Sequence, residues 1–171
     1  NSVRKIRNFG LSSTWYSKSA TNEQLKKVEN AILSVCRLSN YKDEIMYTFP
    51  KELLKDLSKR SQKKYLNPRG YVDGDYWVFC GTKATNKYIE KKVLIHAFNR
   101  YPMLGVSSYL ADYGFPLNDD EYALSEMIQW IWRSNIREKG GNIKLAILSP
   151  RMESIFKAWL DGNDDSLKQS C

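Results

Sequence analysis

One histidine, three cysteines and five prolines in 171 residues exclude several common chemistries at the outset. A Ser/His/Asp triad would have to use His96, and that residue sits in the apolar run Leu94-Ile95-His96-Ala97-Phe98, the setting of a core histidine rather than a catalytic one. Cys36, Cys80 and Cys171 are odd in number and far apart, with no CxxC and no Cys/His cluster, so neither a disulfide scaffold nor a structural zinc site is expected. A reducing, cytoplasmic setting fits that usage. Charges interrupt every apolar run well short of the roughly 20 residues that span a bilayer. There is no GxxxxGK[ST] phosphate cradle, no GxGxxG fingerprint and no GxSxG elbow. Internal repeats and low-complexity segments are also lacking. The first residue is Asn1 rather than Met, and no secretory leader is visible, so a piece of a longer chain is one expectation.

What is present is the composition of a folded domain. Hydrophobic residues make up 42% and aromatics 13%, which suits one ordinary core and excludes a disordered chain. The net charge is +8, and it is unevenly placed. Residues 1–70 hold 15 Lys and Arg against 6 Asp and Glu, whereas residues 71–171 hold 12 against 13. The densest stretch, Lys51 to Arg69, includes Lys55, Lys59, Arg60, Lys63 and Lys64, opposed by Glu52 and Asp56. Such a stretch suits a polyanion, because each neutralised phosphate releases counterions. It also suits a plain solvated helix face.

Periodicity alternates between helical and strand-like along the chain. Residues 21–38 read as a helix, with Thr21 as N-cap, Gln24 at the capping-box position and a stripe of Leu25, Val28, Ile32 and Val35. Residues 44–49 read as a short buried strand, 76–81 and 92–98 as apolar runs without polar alternation, as expected of strands buried on both faces, and 143–148 as a fourth strand candidate. Pro50 suits the first position of a helix reaching about Lys64. A short helix is expected over 103–113 with Gly114 at its end, and Asn118 should cap a long one over 119–138. Ser149-Pro150 should open a last helix ending near Gly162. Residues 1–162 then form one domain, and 163–171 a polar tail. The alternation argues for an α/β fold with a mostly parallel sheet flanked by helices, a three-layer arrangement.

Two constellations carry chemistry. On a helix running to 138, Ser125, Gln129, Arg133 and Arg137 step by four and share a face. Two planar guanidiniums beside an amide can grip phosphate oxygens, although a solvated stripe paired with Glu126 or Glu138 would look the same. The second is the turn Gly81-Thr82-Lys83-Ala84-Thr85-Asn86-Lys87. Its small and hydroxyl residues allow close approach of a phosphodiester backbone.

In that order the two segments resemble the second motor lobe of a superfamily 2 helicase, most like the phage and viral DEAD/DEAH-type helicases. Ala123 to Arg137 is similar to the motif VI region. Gly81 to Tyr88, with Ala84-Thr85-Asn86, is similar to motif V, and Met46 to Lys51 lies where motif IV would be. The likeness covers about residues 12–160 and implies a RecA-like lobe. It implies Arg137 as arginine finger to the γ-phosphate of ATP, Arg133 beside it, and Gln129 positioning the nucleotide. It implies that Thr82, Thr85 and Asn86 contact the backbone of DNA or RNA or couple it to ATP; independently of the resemblance, Lys83 in the same turn and Lys59, Lys63 and Lys64 of the basic stretch are candidates for further phosphate contacts. ATP and Mg²⁺ would be held mainly by a first RecA-like lobe, in cis or on a partner chain, since this sequence has neither a phosphate loop nor an acidic box. Trp132 stands where the family has glycine, and the arginines are four apart rather than three.

Two rival readings stay open. Asp75, Glu90 and Lys92 give the Asp…Glu-x-Lys spacing of Mg²⁺-dependent nucleases, although Glu90 precedes the apolar run rather than lying in it. A non-enzymatic nucleic-acid-binding module would use the 51–69 stretch with Tyr65 and Tyr71 as stacking platforms.

Overall fold

The structure, a computed structural model, describes residues 2–54, 64–68, 76–82, 86–138 and 141–162. The first main element is helix α1 (Asn22–Cys36), where both halves of the capping box form: Gln24 N donates to Thr21 Oγ1 and Thr21 N donates to Gln24 Oε1. Strand β1 (Ile45–Thr48) and strand β2 (Val93–His96) follow, then helices α2 (Leu104–Asp112) and α3 (Asp119–Ile131), strand β3 (Lys144–Ile147) and helix α4 (Pro150–Leu160). The strands form a three-stranded sheet in the order β1-β2-β3, parallel throughout.

Alternation along the strands explains the layers. Ile45, Tyr47, Val93 and Ile95 face one side, where Leu25, Val28, Ile32 and Val35 of α1 cover them. Met46 and Leu94 face the other, where Ala123, Leu124, Met127 and Trp130 of α3 and Met152 of α4 pack. Every residue of β1 and β2 is therefore buried, which is why their sequences show no polar alternation. The result is a three-layer α/β domain with helices on both faces of a parallel sheet.

Three expectations change. The apolar run at 76–81 does not form a full strand: Trp77 makes an isolated parallel bridge to Tyr47, with Tyr47 N donating to Tyr76 O and Val78 N to Tyr47 O. The helix expected after Pro50 is a single 3-10 turn, Lys51–Leu53, and Leu54 is already extended. Leu66 N donates to Leu53 O, and Leu54 bridges Leu66, so a cross-chain contact replaces the helical ladder there. Residues 55–63 of that expected helix lie outside the described residues, as does the tail 163–171. Finally, α3 stops at Ile131 instead of reaching 138, with a separate 3-10 turn at Asn135–Arg137.

The early end of α3 has a local cause. Ser134 Oγ donates to Ile131 O at 2.6 Å, taking up a helix-terminal carbonyl. Asn135 turns toward the segment before β2, its backbone N donating to Lys91 O and its Nδ2 to Ile89 O. The start and end of the other helices follow their caps. Asn118 accepts from Asp120 N and Glu121 N, Ser149 caps α4 with Pro150 behind it, and Gly114 takes φ +83° just past α2.

Candidate functional site

The crossover from Trp77 to β2 and the end of α3 meet on the α3/α4 side of the sheet. They enclose a cleft of about 850 Å³ whose lining includes Gly81, Thr82, Gln129, Trp132, Arg137 and Trp159. The two segments singled out in the sequence, about 50 residues apart, thus come together. Their side chains do not share a helical face, because only Ser125 and Gln129 lie on α3. Gln129 Nε2 donates to Ser125 Oγ at 3.1 Å.

Arg133 and Arg137 have separate surroundings. Arg133 is 7% exposed; its Nη1 donates to Cys80 O at 3.1 Å and its Nη2 donates to Thr82 O. Burial lowers its pKa from the ordinary arginine value, while the guanidinium stays charged. The fork clamps the crossover onto the end of α3, and Arg133, with the Glu126 carboxylate, also lines the cleft. Arg137 is exposed and at the cleft, where its Nη1 donates to Asn86 Oδ1 at 2.9 Å. Exposed Trp132 stands beside it, at 55%, and Trp159 lines the same space. An arginine and two indoles at one cleft can bind an anion and stack a planar ring.

A family model describing the YonV C-terminal Rossmann-like domain matches residues 1–160. The chain belongs to that family. The SPbeta prophage-derived uncharacterized protein YonV of Bacillus subtilis (strain 168) is 36% identical over 153 residues, covering 90% of this chain and 34% of that relative. The YonV-type domain described here therefore spans about a third of the length of the curated relative it matches. No solved structure matches. The match supports the Rossmann-like fold and a phage-derived lineage.

Within this YonV-family domain the other candidate residues are scattered or lie outside what is described. Thr82 and Asn86 flank the cleft, whereas Lys83 and Thr85 lie outside the described residues, as do Lys59, Lys63, Asp75 and Tyr71. Lys64 Nζ donates to Ser17 O and Lys18 O, at the end of a short helical turn of residues Trp15–Ser19. Glu90 is exposed on a turn ahead of β2, and Lys92 is ion-paired to Glu44 at 2.7 Å, which raises the lysine pKa and lowers that of the carboxyl. Among the described residues no group of three or more His, Cys, Asp and Glu could hold a metal ion. No helix of the described residues is long and apolar enough to cross a membrane.

His96 is fully buried at the end of β2, with Cys80 Sγ 3.7 Å from its Nε2 and Trp130 edge-on to its ring. Burial, with Arg100 nearby, pushes its pKa down to about 3, and burial pushes the Cys80 thiol up to about 11. Both groups are neutral in the native domain and belong to its core.

The sequence reading passed over an arginine network at the C-terminal ends of β2 and β3. Arg151 donates to Asn99 Oδ1, Arg100 O and Asp120 Oδ1 and stacks over Tyr101 at 4.2 Å. Arg100 pairs with Glu126 at 2.8 Å. The signal available was Asn99-Arg100 and Ser149-Pro150-Arg151 following two strands, the position where parallel sheets place binding groups. Here those arginines tie the starts of α3 and α4 to the loop after β2.

Proposed function

We propose that this Rossmann-like domain binds DNA or RNA along the cleft beside α3 and serves as the second lobe of an ATP-dependent helicase or translocase. The observation that carries the reading is Arg137, exposed at a cleft that also holds Gln129, Trp132 and Trp159, and hydrogen-bonded to Asn86 of the crossover. Because Arg133 holds two backbone carbonyls, the finger role falls to Arg137. A cation entering a phosphoryl-transfer site from a second lobe stabilises the charge that develops there. ATP and Mg²⁺ would be held by the first lobe, and the sequence of this chain supplies neither a phosphate loop nor an acidic box for them.

Binding is tested by fluorescence anisotropy with labelled single-stranded DNA and RNA oligonucleotides. The expected result is affinity that falls with salt, with a slope of about 0.9 per phosphate neutralised on a duplex and about 0.7 on a single strand. Trp132→Ala should weaken binding by about 5- to 100-fold, the range for one lost stacking contact. Arg137→Ala should lower both affinity and salt slope. The motor role is tested separately by adding the domain to a first lobe and measuring nucleic-acid-stimulated ATP hydrolysis, which Arg137→Ala should abolish. Absence of oligonucleotide binding at low salt would overturn the interface, and full ATPase activity in the Arg137 variant would overturn the finger assignment.

A further inference from the structure

Helix α2 buries none of its side chains. Its sequence is nevertheless amphipathic: Val106, Tyr109, Leu110 and Tyr113 follow the i, i+3, i+4, i+7 spacing of a stripe that normally seats in a core. Ser107, Ser108, Ala111 and Asp112 lie off that stripe, as does Leu104 across the helix. The stripe faces outward, with Val106 48%, Tyr109 60% and Tyr113 66% exposed. The rings of Tyr109 and Tyr113 touch at 4.8 Å, forming one continuous apolar surface. Met103 and Leu104 before it and Phe115 after it are also largely exposed, at 73%, 85% and 73%.

We infer that this surface is a two-fold interface between two copies of the chain, α2 packing against α2. Two observations select a second copy as the occupant. The first is area. Without Leu104, which lies across the helix, the exposed parts of Met103, Val106, Tyr109, Tyr113 and Phe115 amount to about 600 Å², taking about 200 Å² for each aromatic, so two copies would bury about 1,200 Å², the lower end of a standard protein interface. A patch of about 600 Å² is at the top of what monomers usually expose. The second is charge. Residues 101–117 carry a single charged side chain, Asp112, in a chain of net charge +8. A strongly basic protein self-associates most readily through its uncharged face, and that face here is the apolar one. A closed two-fold pairing satisfies both copies with the same residues.

The inference is independent of the nucleic-acid reading, and salt separates the two. Screening weakens repulsion between two +8 chains, so self-association should strengthen as ionic strength rises, whereas polyanion binding weakens. Sedimentation velocity and multi-angle light scattering on the full chain, from micromolar to several hundred micromolar, should show the mass moving from one chain to two. The dimer dissociation constant should fall on going from low to high salt. The double variant Tyr109→Glu/Tyr113→Glu removes no buried side chain, so its circular dichroism should match the wild type while its dissociation constant rises at least ten-fold. Tyr109→Phe should retain dimerisation. A single-chain mass across the whole range, or a dimer indifferent to the glutamates, would overturn the inference. So would protection of α2 appearing only in a longer polypeptide, which would make another segment of the chain the occupant.

Discussion

Removing Arg133 tests whether that arginine is a clamp or a ligand group. Arg133→Ala takes away two charge-assisted hydrogen bonds to Cys80 O and Thr82 O, together with a side chain stem packed in a residue that is 7% exposed. Each lost charged hydrogen bond is worth about 1.5–3 kcal/mol, and a carbonyl left dry costs about 1–3 kcal/mol in its place. The two descriptions overlap, and Thr82 is only partly buried, so a total loss of about 3–4 kcal/mol is expected. Arg133→Lys keeps the charge but cannot fork between two oxygens, and should lose about half as much. In a domain of this size about 2–4 °C of melting temperature goes with each kcal/mol, so the alanine variant should melt about 6–16 °C lower. Urea denaturation followed by tryptophan fluorescence gives the free energy directly, and the slope should stay at the wild-type value because the native fold is unchanged. The matched control is Arg137→Ala. That side chain is exposed with one hydrogen bond, to Asn86, and its removal should change stability by about 0.5 kcal/mol or less. A loss under about 1 kcal/mol for Arg133→Ala would refute the clamp and leave Arg133 as a ligand-facing group of the cleft it lines.

Two further expectations concern the core and the first helix. His96 has a folded pKa near 3 against about 6.5 when unfolded, so between those values the unfolded chain holds a proton that the native one does not. Stability from this group is therefore complete above about pH 6.5 and is lost as pH falls, with a limiting slope of about 1.4 kcal/mol per pH unit. The non-titrating His96→Met should flatten that limb in urea midpoints measured from pH 4.5 to 7, and parallel curves for the two proteins would contradict it. Thr21→Ala removes the Thr21 Oγ1 acceptor for Gln24 N, leaves the backbone half of the α1 capping box in place, and should cost about 1 kcal/mol by calorimetry. A variant melting at the wild-type temperature would show that α1 is held by its packing alone.

The elements that could be read from the sequence are those whose pattern and environment agree. Ile45–Thr48 and Val93–His96 fall inside apolar runs and are buried throughout, and the Thr21/Gln24, Asn118 and Ser149-Pro150 signals mark helix starts correctly; Lys144–Ile147 also falls where a strand is expected, but as an edge strand it is exposed at Lys144 and half-buried beyond. The misreadings lie where another hydrogen bond, local or tertiary, takes the place of the helical ladder. Leu66 takes the Leu53 carbonyl and ends the expected helix after one turn, and Ser134 with Asn135 ends α3 before either arginine. The meeting of residues 81–86 with 129–137 could be anticipated through resemblance but not through spacing, because nothing local joins them. In α2 the pattern identified a helix, yet no pattern tells whether its apolar side chains look inward or outward.

The shortening of α3 also changes what the cleft can bind. On one helical face, Arg133 and Arg137 would have formed a pair of forks suited to a dense phosphate cluster. With α3 ending at Ile131, Arg133 turns in to hold the crossover and Arg137 stays out with the indoles. One free fork beside two indoles at the same cleft is better matched to a nucleotide than to bare phosphate, since a base offers a face to stack and its backbone offers one charge. The cleft by itself should then contribute a shallow salt dependence. A steep one would assign most of the phosphate contacts to the basic residues between Lys51 and Arg69, which hold much of the excess charge of the first 70 residues. The clamp and the cleft are thus coupled. Arg133 holds Thr82, and Asn86 on the same crossover meets Arg137, so if the cleft binds nucleic acid as proposed, a loosened clamp should weaken that binding.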